Sequence, residues 1–487
     1  MEGYAMKNRA GILSLALTLC ATILVSNLQG QELQWTPVDV EGIKGFERAY
    51  LEVPEKRGKA GSRTLKLMLT RMKSRTQPSG TPVVYLSGGP GGSAVTMVGV
   101  GYMRELFKRI IQHHDLILLE QRGTRFSEPA LFWPSPESFP RDIFTTEERA
   151  IAEMRKRSEL AVQYFREQGA DLTGYTTVES ADDIEALRKA LGAPKLSLLS
   201  FSYGTHLTLA TVKRHGDKLD RVVLAGTEGL DETLKFPSVY DRQLQMISDL
   251  AAEIPPIRQS VPNMKELFKK VLDQLERQPI TVEVRDNRTQ QTVPIKIGGH
   301  GLQFLLRLDI GDGNDFVNFP RVLYEIEQGK YEGIKRYAER RYNQLSTGIS
   351  GLTFAMDLAS WASSERIARI KEEAKTSLFG NTMNFPIMAA VDIWGNPDLG
   401  EDFRKPVQSN IPALFISGAL DCQTPPHQAE NILKGFPNGS HIVVQYAGHE
   451  DTLPAQEVQD AIVDFFNGKK PTITEVSLPR PVFTPIP

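Results

Sequence analysis

Three side chains of this sequence, Ser202, Asp421 and His449, are of the types that together perform nucleophilic catalysis. A serine hydroxyl needs a base to take its proton, and the base needs an acid to orient it. Ser202 is the central residue of the segment S-F-S-Y-G at 200–204, which follows an apolar run and precedes a helix-like stretch. A serine at a sharp turn between a strand and a helix is typical of a nucleophile elbow, which lifts the hydroxyl above the sheet.

The candidate acid and base both follow predicted strands. Asp421 comes after the apolar run 412–417, and His449 comes after the run 442–446 and directly after Gly448. Open α/β sheets bind their ligands at the carboxyl ends of such strands, and the order Ser, Asp, His is one known for this chemistry. Of the eight histidines, His449 combines a strand end with a preceding glycine. Glu228, after the predicted strand 221–225, is an alternative acid.

A glycine-rich segment, S-G-G-P-G-G-S at 87–93, follows another predicted strand. Acyl transfer needs two backbone N–H groups aimed at the oxyanion. We expect one from Tyr203, after the nucleophile, and one from Gly89, with Gly88 as the alternative. The letters G-P-G-G-S-A at 89–94 also fit a dinucleotide fingerprint, with Glu120 as the ribose-binding acid. Glu120 lies further on than the roughly 20 residues expected, and a proline in the loop removes an N–H donor, which disfavours that interpretation.

Together these motifs resemble the α/β-hydrolase serine peptidases of the proline iminopeptidase and tripeptidyl aminopeptidase group. The resemblance extends from about Glu47 to about Phe466, and it rests on the segments 88–92, 120–127, 202–204, 417–426 and 448–449. It implies an α/β-hydrolase fold, a mostly parallel sheet flanked by helices, and an exopeptidase that acts at a free N-terminus. Three residues depart from the group's pattern: Ser87 stands for its histidine, Ser200 for its elbow glycine and Glu120 for its aspartate.

The composition is that of an ordinary globular enzyme, with 40% hydrophobic and 24% charged residues. A net charge of −2 argues against nucleic acid or an anionic membrane as a partner. The histidines show no metal-ligand spacing, so we expect neither a metal nor another cofactor. Once residues 1–30 are removed, Cys422 is the sole cysteine of the sequence, so no intrachain disulfide is expected and Cys422 is interpreted as a packed core residue.

The N-terminal residues 1–30 read as a signal peptide. Two basic residues precede an uncharged apolar stretch at 10–25, which is shorter than the about 20 residues that a membrane span requires. This pattern predicts a secreted or periplasmic protein with no stable membrane insertion after cleavage.

The remaining chain divides into three predicted parts. Residues 31–229 form the first part of an α/β-hydrolase core, residues 230–406 a mainly helical cap, and residues 407–487 the second part of the core with a C-terminal tail. About 180 residues separate the strand ending at Ala225 from the next one, far more than a crossover helix needs. Alternating apolar residues at 280–284 and 293–297 predict a hairpin inside this cap. The proline-rich tail 471–487 is expected to be an extended strap.

The sequence therefore predicts a secreted serine hydrolase, an aminopeptidase that takes peptide or small ester substrates. An esterase or lipase with the same triad is the main alternative, and a catalytically inactive binding module is another. An aminopeptidase must recognise a free α-ammonium group, and Glu228 is our candidate for that contact. The alternative for Glu228 is a solvated loop carboxylate or a charge at a helix N-terminus. Residue preference, the number of residues released and the oligomeric state do not follow from the sequence.

Overall fold

The computed structural model describes residues 31–40, 42–77 and 79–487. The predicted signal peptide at 1–30 lies outside the described residues. Across those ranges, no helix has both the length and the apolar character needed to cross a membrane.

Ten strands of the described chain form one sheet, whose spatial order is β1-β2-β3-β5-β4-β7-β8-β12-β13-β14. From β5 onward in this order, neighbouring strands are parallel, whereas β1, β2, β3 and β5 pair antiparallel. The strands are β1 (Thr36–Val40), β2 (Ile43–Pro54), β3 (Thr64–Met72), β4 (Gly80–Leu86), β5 (His114–Leu119), β6 (Phe132–Pro134), β7 (Leu196–Phe201), β8 (Leu219–Ala225), β9 (Ile280–Arg285), β10 (Thr292–Ile297), β11 (Gly348–Ser350), β12 (Ala413–Gly418), β13 (Gly439–Gln445) and β14 (Glu475–Ser477).

The central strands β7 and β12 are buried along nearly their whole length because helices cover both faces of the sheet. The helices outside the stretch between β8 and β12 are Gly101–Ile110, Glu147–Glu167, Thr177–Ala190, Tyr203–His215, Pro426–Leu433 and Gln456–Phe466. This parallel sheet with crossover helices confirms the predicted α/β-hydrolase fold.

Between β8 and β12 the chain folds mainly into helices, and we call residues 226–412 the insertion. Its helices of eight or more residues are Pro237–Ala252, Met264–Arg277, Gly299–Leu306, Phe319–Glu327, Glu332–Thr347, Gly351–Ser360 and Ser364–Glu373, and shorter helices are Pro255–Ser260, Gly313–Phe316, Val391–Trp394 and Gly400–Arg404. The predicted hairpin is present as β9 and β10, which pair from Arg285↔Thr292 to Ile280↔Ile297. The insertion is also joined to the core, because β11 pairs antiparallel with β6.

The C-terminal tail 471–487 is extended, as expected, and part of it also forms a strand. Glu475–Ser477 forms β14, which pairs parallel with β13 at the edge of the sheet. Further on, the buried ring of Phe483 packs against Phe316, and Thr484 N donates to Val317 O at 3.0 Å. The tail therefore extends the sheet and then contacts the insertion.

Candidate active site

Ser202 stands at the turn between β7 and the helix Tyr203–His215, with φ 54° and ψ −126°. This positive φ is strained for a residue with a side chain and is characteristic of functional sites. The turn is held because Ser202 N donates to Ala225 O at 2.9 Å. Gly204 must lack a side chain, since a Cβ there would collide with the backbone oxygen of Leu86. The first turn of the helix can therefore pass close to the end of β4, beside the elbow that carries the hydroxyl.

Ser200, which replaces the glycine usual in the resembled group, fits this tight elbow. Its side chain is fully buried, and its Oγ donates to Val223 O of β8 at 2.7 Å. The hydroxyl is thus satisfied by a neighbouring strand, and the departure leaves the turn intact.

The structure brings Ser202, His449 and Asp421 into one hydrogen-bonded chain. His449 Nε2 lies 3.0 Å from Ser202 Oγ, and His449 Nδ1 lies 2.8 Å from Asp421 Oδ2. Asp421 follows β12 and His449 follows β13, so adjacent parallel strands deliver both side chains to the same edge of the sheet. Asp421 and His449 are 3% and 5% exposed. This arrangement can deprotonate the serine hydroxyl.

The carboxylate of Asp421 is surrounded by hydrogen-bond donors. Its Oδ1 accepts from Gln423 N at 2.8 Å and Thr424 N at 2.9 Å, and its Oδ2 accepts from Thr424 Oγ1 at 2.6 Å. Burial raises the pKa of Asp421, but the charge of His449 and these hydrogen bonds outweigh burial, so the pKa lies below its ordinary value. Asp421 is therefore ionised at neutral pH.

The same pair shifts the base in the opposite direction. Burial lowers the pKa of His449, yet the negative charge of Asp421 and the hydrogen bond to it raise that pKa above its ordinary value. With Asp421 ionised, the neutral ring carries its proton on Nδ1, which leaves Nε2 free to accept the proton of Ser202. This geometry would allow His449 to act as a general base.

The loop that carries His449 is held by the insertion. His449 N donates to Gly311 O at 2.7 Å, and a Cβ on Gly448 would collide with that same oxygen. Asp451 links the two segments further, because its Oδ2 accepts from Gly448 N at 2.8 Å and from Gly313 N at 3.2 Å. The glycine before the histidine is therefore required by the close approach of the insertion.

Tyr203 and the glycine-rich segment, the two predicted sources of oxyanion donors, both lie next to Ser202. Tyr203 is the first residue of its helix, so its N–H has no carbonyl within that helix to bind. On the other side, a Cβ built on Gly88 would lie 2.8 Å from Ser202 Cβ and 3.3 Å from Ser202 Oγ. Gly89 follows with φ 123°, a conformation open to glycine. The glycine-rich segment thus approaches the serine closely.

Glu120 does not serve a nucleotide. It is fully buried, and its carboxylate accepts from Ser93 Oγ at 2.6 Å, Val95 N at 3.0 Å and Thr124 Oγ1 at 2.8 Å. Gln121 adds a hydrogen bond from Nε2 to Ser87 O at 3.1 Å. These two residues anchor the ends of the glycine-rich segment. Glu120 therefore supports this segment, whereas the dinucleotide interpretation would have made it a ribose-binding residue.

Glu228 is buried and paired, and it is not a solvated loop carboxylate. Its Oε2 accepts from Lys235 Nζ at 2.6 Å, and its Oε1 lies 3.7 Å from His206 Nδ1. Glu228 N donates to Thr205 Oγ1 at 2.8 Å, and that hydroxyl in turn donates to Ser202 O at 2.6 Å. Glu228 therefore contacts the backbone of the elbow indirectly, through the side chain of Thr205, and Lys235 balances its negative charge.

Asp357, in the helix Gly351–Ser360 of the insertion, is a second carboxylate near the elbow. Burial and then the charge of Glu228 raise the pKa of Asp357 well above its ordinary value, against the opposing charge of Lys235. Burial raises the pKa of Tyr203 as well, and the charges of Asp357 and Glu228 raise it further. Among the described residues, no side chain or backbone group donates a hydrogen bond to the Asp357 carboxylate. The side chain of Asp357 is partly exposed to solvent, and the charges of Glu228 and Lys235 act on its carboxyl group.

Sequence reasoning did not assign roles to Thr424, Lys235 or Asp357. Thr424 had a local signal, because it stands three residues after the candidate acid within a motif of the resembled group. Lys235 and Asp357 had none, since each lies in the insertion and approaches the site through its fold.

The chain matches a family model described as the alpha/beta hydrolase fold over residues 81–455, and it belongs to that family. It is 27% identical over 224 residues to the serine protease Hip1 of Mycobacterium tuberculosis, covering 40% of this chain and 40% of that protein. It is also 27% identical over 191 residues to a tripeptidyl aminopeptidase of Streptomyces lividans, covering 37% of this chain and 35% of that protein. The matches thus span less than half the length of these curated relatives.

The chain is also similar to solved structures, among them a proline iminopeptidase-related protein from Thermus thermophilus, with a TM-score of 0.34 and 14% identity over 89% of this chain and 97% of that chain. A thermophilic esterase from Thermogutta terrifontis gives a TM-score of 0.37 and 15% identity, over 86% of this chain and 98% of that chain. The sequence matches confirm the resemblance to tripeptidyl aminopeptidases, and the family and the relatives together support a hydrolase.

Proposed function

We propose that this protein is an exported serine hydrolase that cleaves peptide bonds near a free N-terminus. The observation that carries the proposal is the chain of hydrogen bonds from Ser202 through His449 to Asp421. Export rests on the basic and apolar pattern of residues 1–30. The relatives named as a serine protease and a tripeptidyl aminopeptidase favour peptides over other acyl substrates.

In the proposed mechanism, Ser202 Oγ attacks the scissile carbonyl while His449 Nε2 takes its proton. Asp421 keeps the ring in the productive tautomer and stabilises the imidazolium. The N–H groups of Gly89 and Tyr203 stabilise the oxyanion of the tetrahedral intermediate. His449 then protonates the leaving amine, and water, activated by the same histidine, hydrolyses the acyl-enzyme.

The insertion, with the predicted cap at 230–406, would cover this site and select the substrate. It already contacts the loop of His449 through Gly311 and Gly313. A cover of this kind excludes water from the acyl-enzyme and limits which substrates reach the serine.

We assign recognition of the substrate's α-ammonium to Glu228 together with Asp357, which we call the acidic pair. Asp357 stands four residues after Thr353, so both lie on one face of their helix, and Thr353 contacts the glycine-rich segment next to Ser202. Glu228 lies three residues after Ala225, the last residue of β8. Lys235 forms an ion pair with Glu228, whereas no described cation is ion-paired with Asp357, so a bound ammonium would supply that partner and favour the ionised carboxylate.

The first experiment compares wild type with Ser202→Ala on aminoacyl, dipeptidyl and tripeptidyl fluorogenic amides, their N-acetylated forms and p-nitrophenyl esters. We expect hydrolysis of amides that carry a free N-terminus, and loss of that activity in Ser202→Ala. Hydrolysis confined to esters would instead establish the esterase alternative. Failure of wild type to react with a fluorophosphonate probe would reject a serine hydrolase altogether.

The second experiment tests the acidic pair with Asp357→Asn and Glu228→Gln. Losing one hydrogen bond to a charged group should lower kcat/KM for peptides with a free N-terminus by about 2–3 kcal/mol, or about 30- to 160-fold. Hydrolysis of a small neutral ester should scarcely change in either variant. Equal losses on both substrates would show that the acidic pair supports the catalytic groups or the fold, and the proposed amine contact would be abandoned.

A further inference from the structure

The glycine-rich segment of the site is tethered by a side chain from the insertion. Thr353 Oγ1 donates a hydrogen bond of 2.6 Å to Pro90 O, although the two residues are 263 positions apart in the chain. A Cβ built on Gly91 would lie 2.8 Å from Ser350 Oγ and 3.3 Å from Thr353 Oγ1. The backbone of the segment therefore packs directly against the first turn of the helix Gly351–Ser360.

That first turn is itself firmly placed. Gly351 N donates to Leu131 O at 2.8 Å, and β11, which directly precedes the helix, pairs with β6. Ser350 caps the helix by accepting from Thr353 N. The hydroxyl of Thr353 is thus presented from a fixed position, although it belongs to the insertion.

The segment gains from such a tether because its glycines are conformationally free and a single backbone hydrogen bond, from Gly92 N to Gly88 O at 3.1 Å, closes it from within. Gly89 and Gly91 have φ of 123° and 101°, and glycine populates many conformations besides these. Glu120 and Gln121 hold the two ends, through Ser93, Val95 and Ser87. In the middle, the carbonyl of Pro90 is held by Thr353.

We infer that Thr353 is a positioning residue for the oxyanion site. Its hydroxyl fixes the carbonyl of Pro90 and thereby the backbone that follows Gly89, so the N–H of Gly89 keeps its aim at the developing oxyanion. This inference rests on the proposed function in that it takes Ser202 as the nucleophile and Gly89 as an oxyanion donor. The insertion then contributes to catalysis itself as well as covering the site.

The test compares Thr353→Val, which removes the hydroxyl and keeps the branched shape, with Thr353→Ser, which keeps the hydroxyl. Removing one oxyanion donor costs about 100- to 1,000-fold in kcat, so loosening a donor should cost less, about 10- to 100-fold. We expect that loss in kcat for Thr353→Val with KM nearly unchanged, and recovery in Thr353→Ser. Thr347→Val is the matched control, because the hydroxyl of Thr347 is exposed and bonds within its own helix, to Gln344 O.

A second readout separates positioning from a general structural effect. A trifluoromethyl ketone analogue of the best substrate forms an oxyanion on Ser202, and its Ki should weaken in Thr353→Val by the same factor as kcat/KM. Binding of the released product should not change. Wild-type kcat in Thr353→Val, or a loss that appears equally in product binding, would overturn the inference.

All assays are run on a p-nitrophenyl ester as well as a peptide amide. If wild type cleaves the ester alone, the proposed peptidase activity fails while the effect of Thr353→Val on the ester still decides the positioning role. Thermal unfolding of each variant verifies that it is folded, and Thr353→Ala replaces Thr353→Val if the latter does not fold.

Discussion

Replacing Asp421 by asparagine tests the catalytic assignment most directly, because it removes a charge and nearly preserves the shape. Every partner of this carboxylate donates to it: His449 Nδ1 at 2.8 Å, Thr424 Oγ1 at 2.6 Å, and the N–H groups of Gln423 and Thr424 at 2.8 and 2.9 Å. An amide offers one acceptor oxygen and one NH₂ donor. The NH₂ group of the asparagine must therefore face some of the groups that donated hydrogen bonds to Asp421.

The backbone N–H groups cannot turn away, so the amide oxygen stays with them and the NH₂ group faces His449. The ring then has to accept at Nδ1, which moves its proton to Nε2, and Nε2 can no longer take the proton of Ser202. A wrong tautomer of this kind lowers kcat by about 10⁴-fold, which corresponds to about 5.4 kcal/mol of transition-state stabilisation.

The assay measures kcat of Asp421→Asn on a small neutral ester, beside wild type and Glu228→Gln. Glu228→Gln is the matched control, since it makes the same carboxylate-to-amide change at the other candidate acid. We expect the large loss in Asp421→Asn and a near-normal rate in Glu228→Gln, with both proteins folded by thermal unfolding. The reverse pattern would refute the reasoning and identify Glu228 as the catalytic acid.

Three further predictions follow from the site. Asp421 raises the pKa of His449, and the protonated ring cannot act as a base. We therefore expect kcat/KM to fall with decreasing pH around a midpoint above the ordinary histidine pKa of about 6.5. A pH–rate profile whose midpoint lies below that value would contradict this prediction. Gly204→Ala should destabilise the protein by about 1–3 kcal/mol or more through collision with the end of β4, whereas Gly101→Ala, where an added Cβ meets nothing within 4 Å, serves as the control in thermal unfolding. Thr424→Val should lower kcat/KM by about 1.5–3 kcal/mol, the scale of a hydrogen bond to a charged group, and Thr424→Ser should recover it; an unchanged rate in Thr424→Val would show that this hydroxyl does not orient the acid.

Much of the fold was predictable because its signals are local. Apolar runs predicted several of the parallel strands, and β4, β7, β8, β12 and β13 all lie where those runs stand. The hairpin of β9 and β10 followed from alternation of apolar residues. By contrast, β14 was missed, because a three-residue edge strand in a proline-rich tail carries little pattern of its own.

The residues of the candidate site also fall into those that the sequence predicts and those that only the fold brings together. By itself, the sequence determined the order and strand-end positions of Ser202, Asp421 and His449, because a parallel sheet brings the carboxyl ends of its strands to one edge. Only the tertiary structure decided that Lys235 pairs with Glu228 and that Thr353 holds Pro90. The physical reason is that the sequence of a helix in a long insertion shows which of its faces is apolar, but not which part of the core that face contacts. That contact depends on how the whole insertion folds back over the sheet.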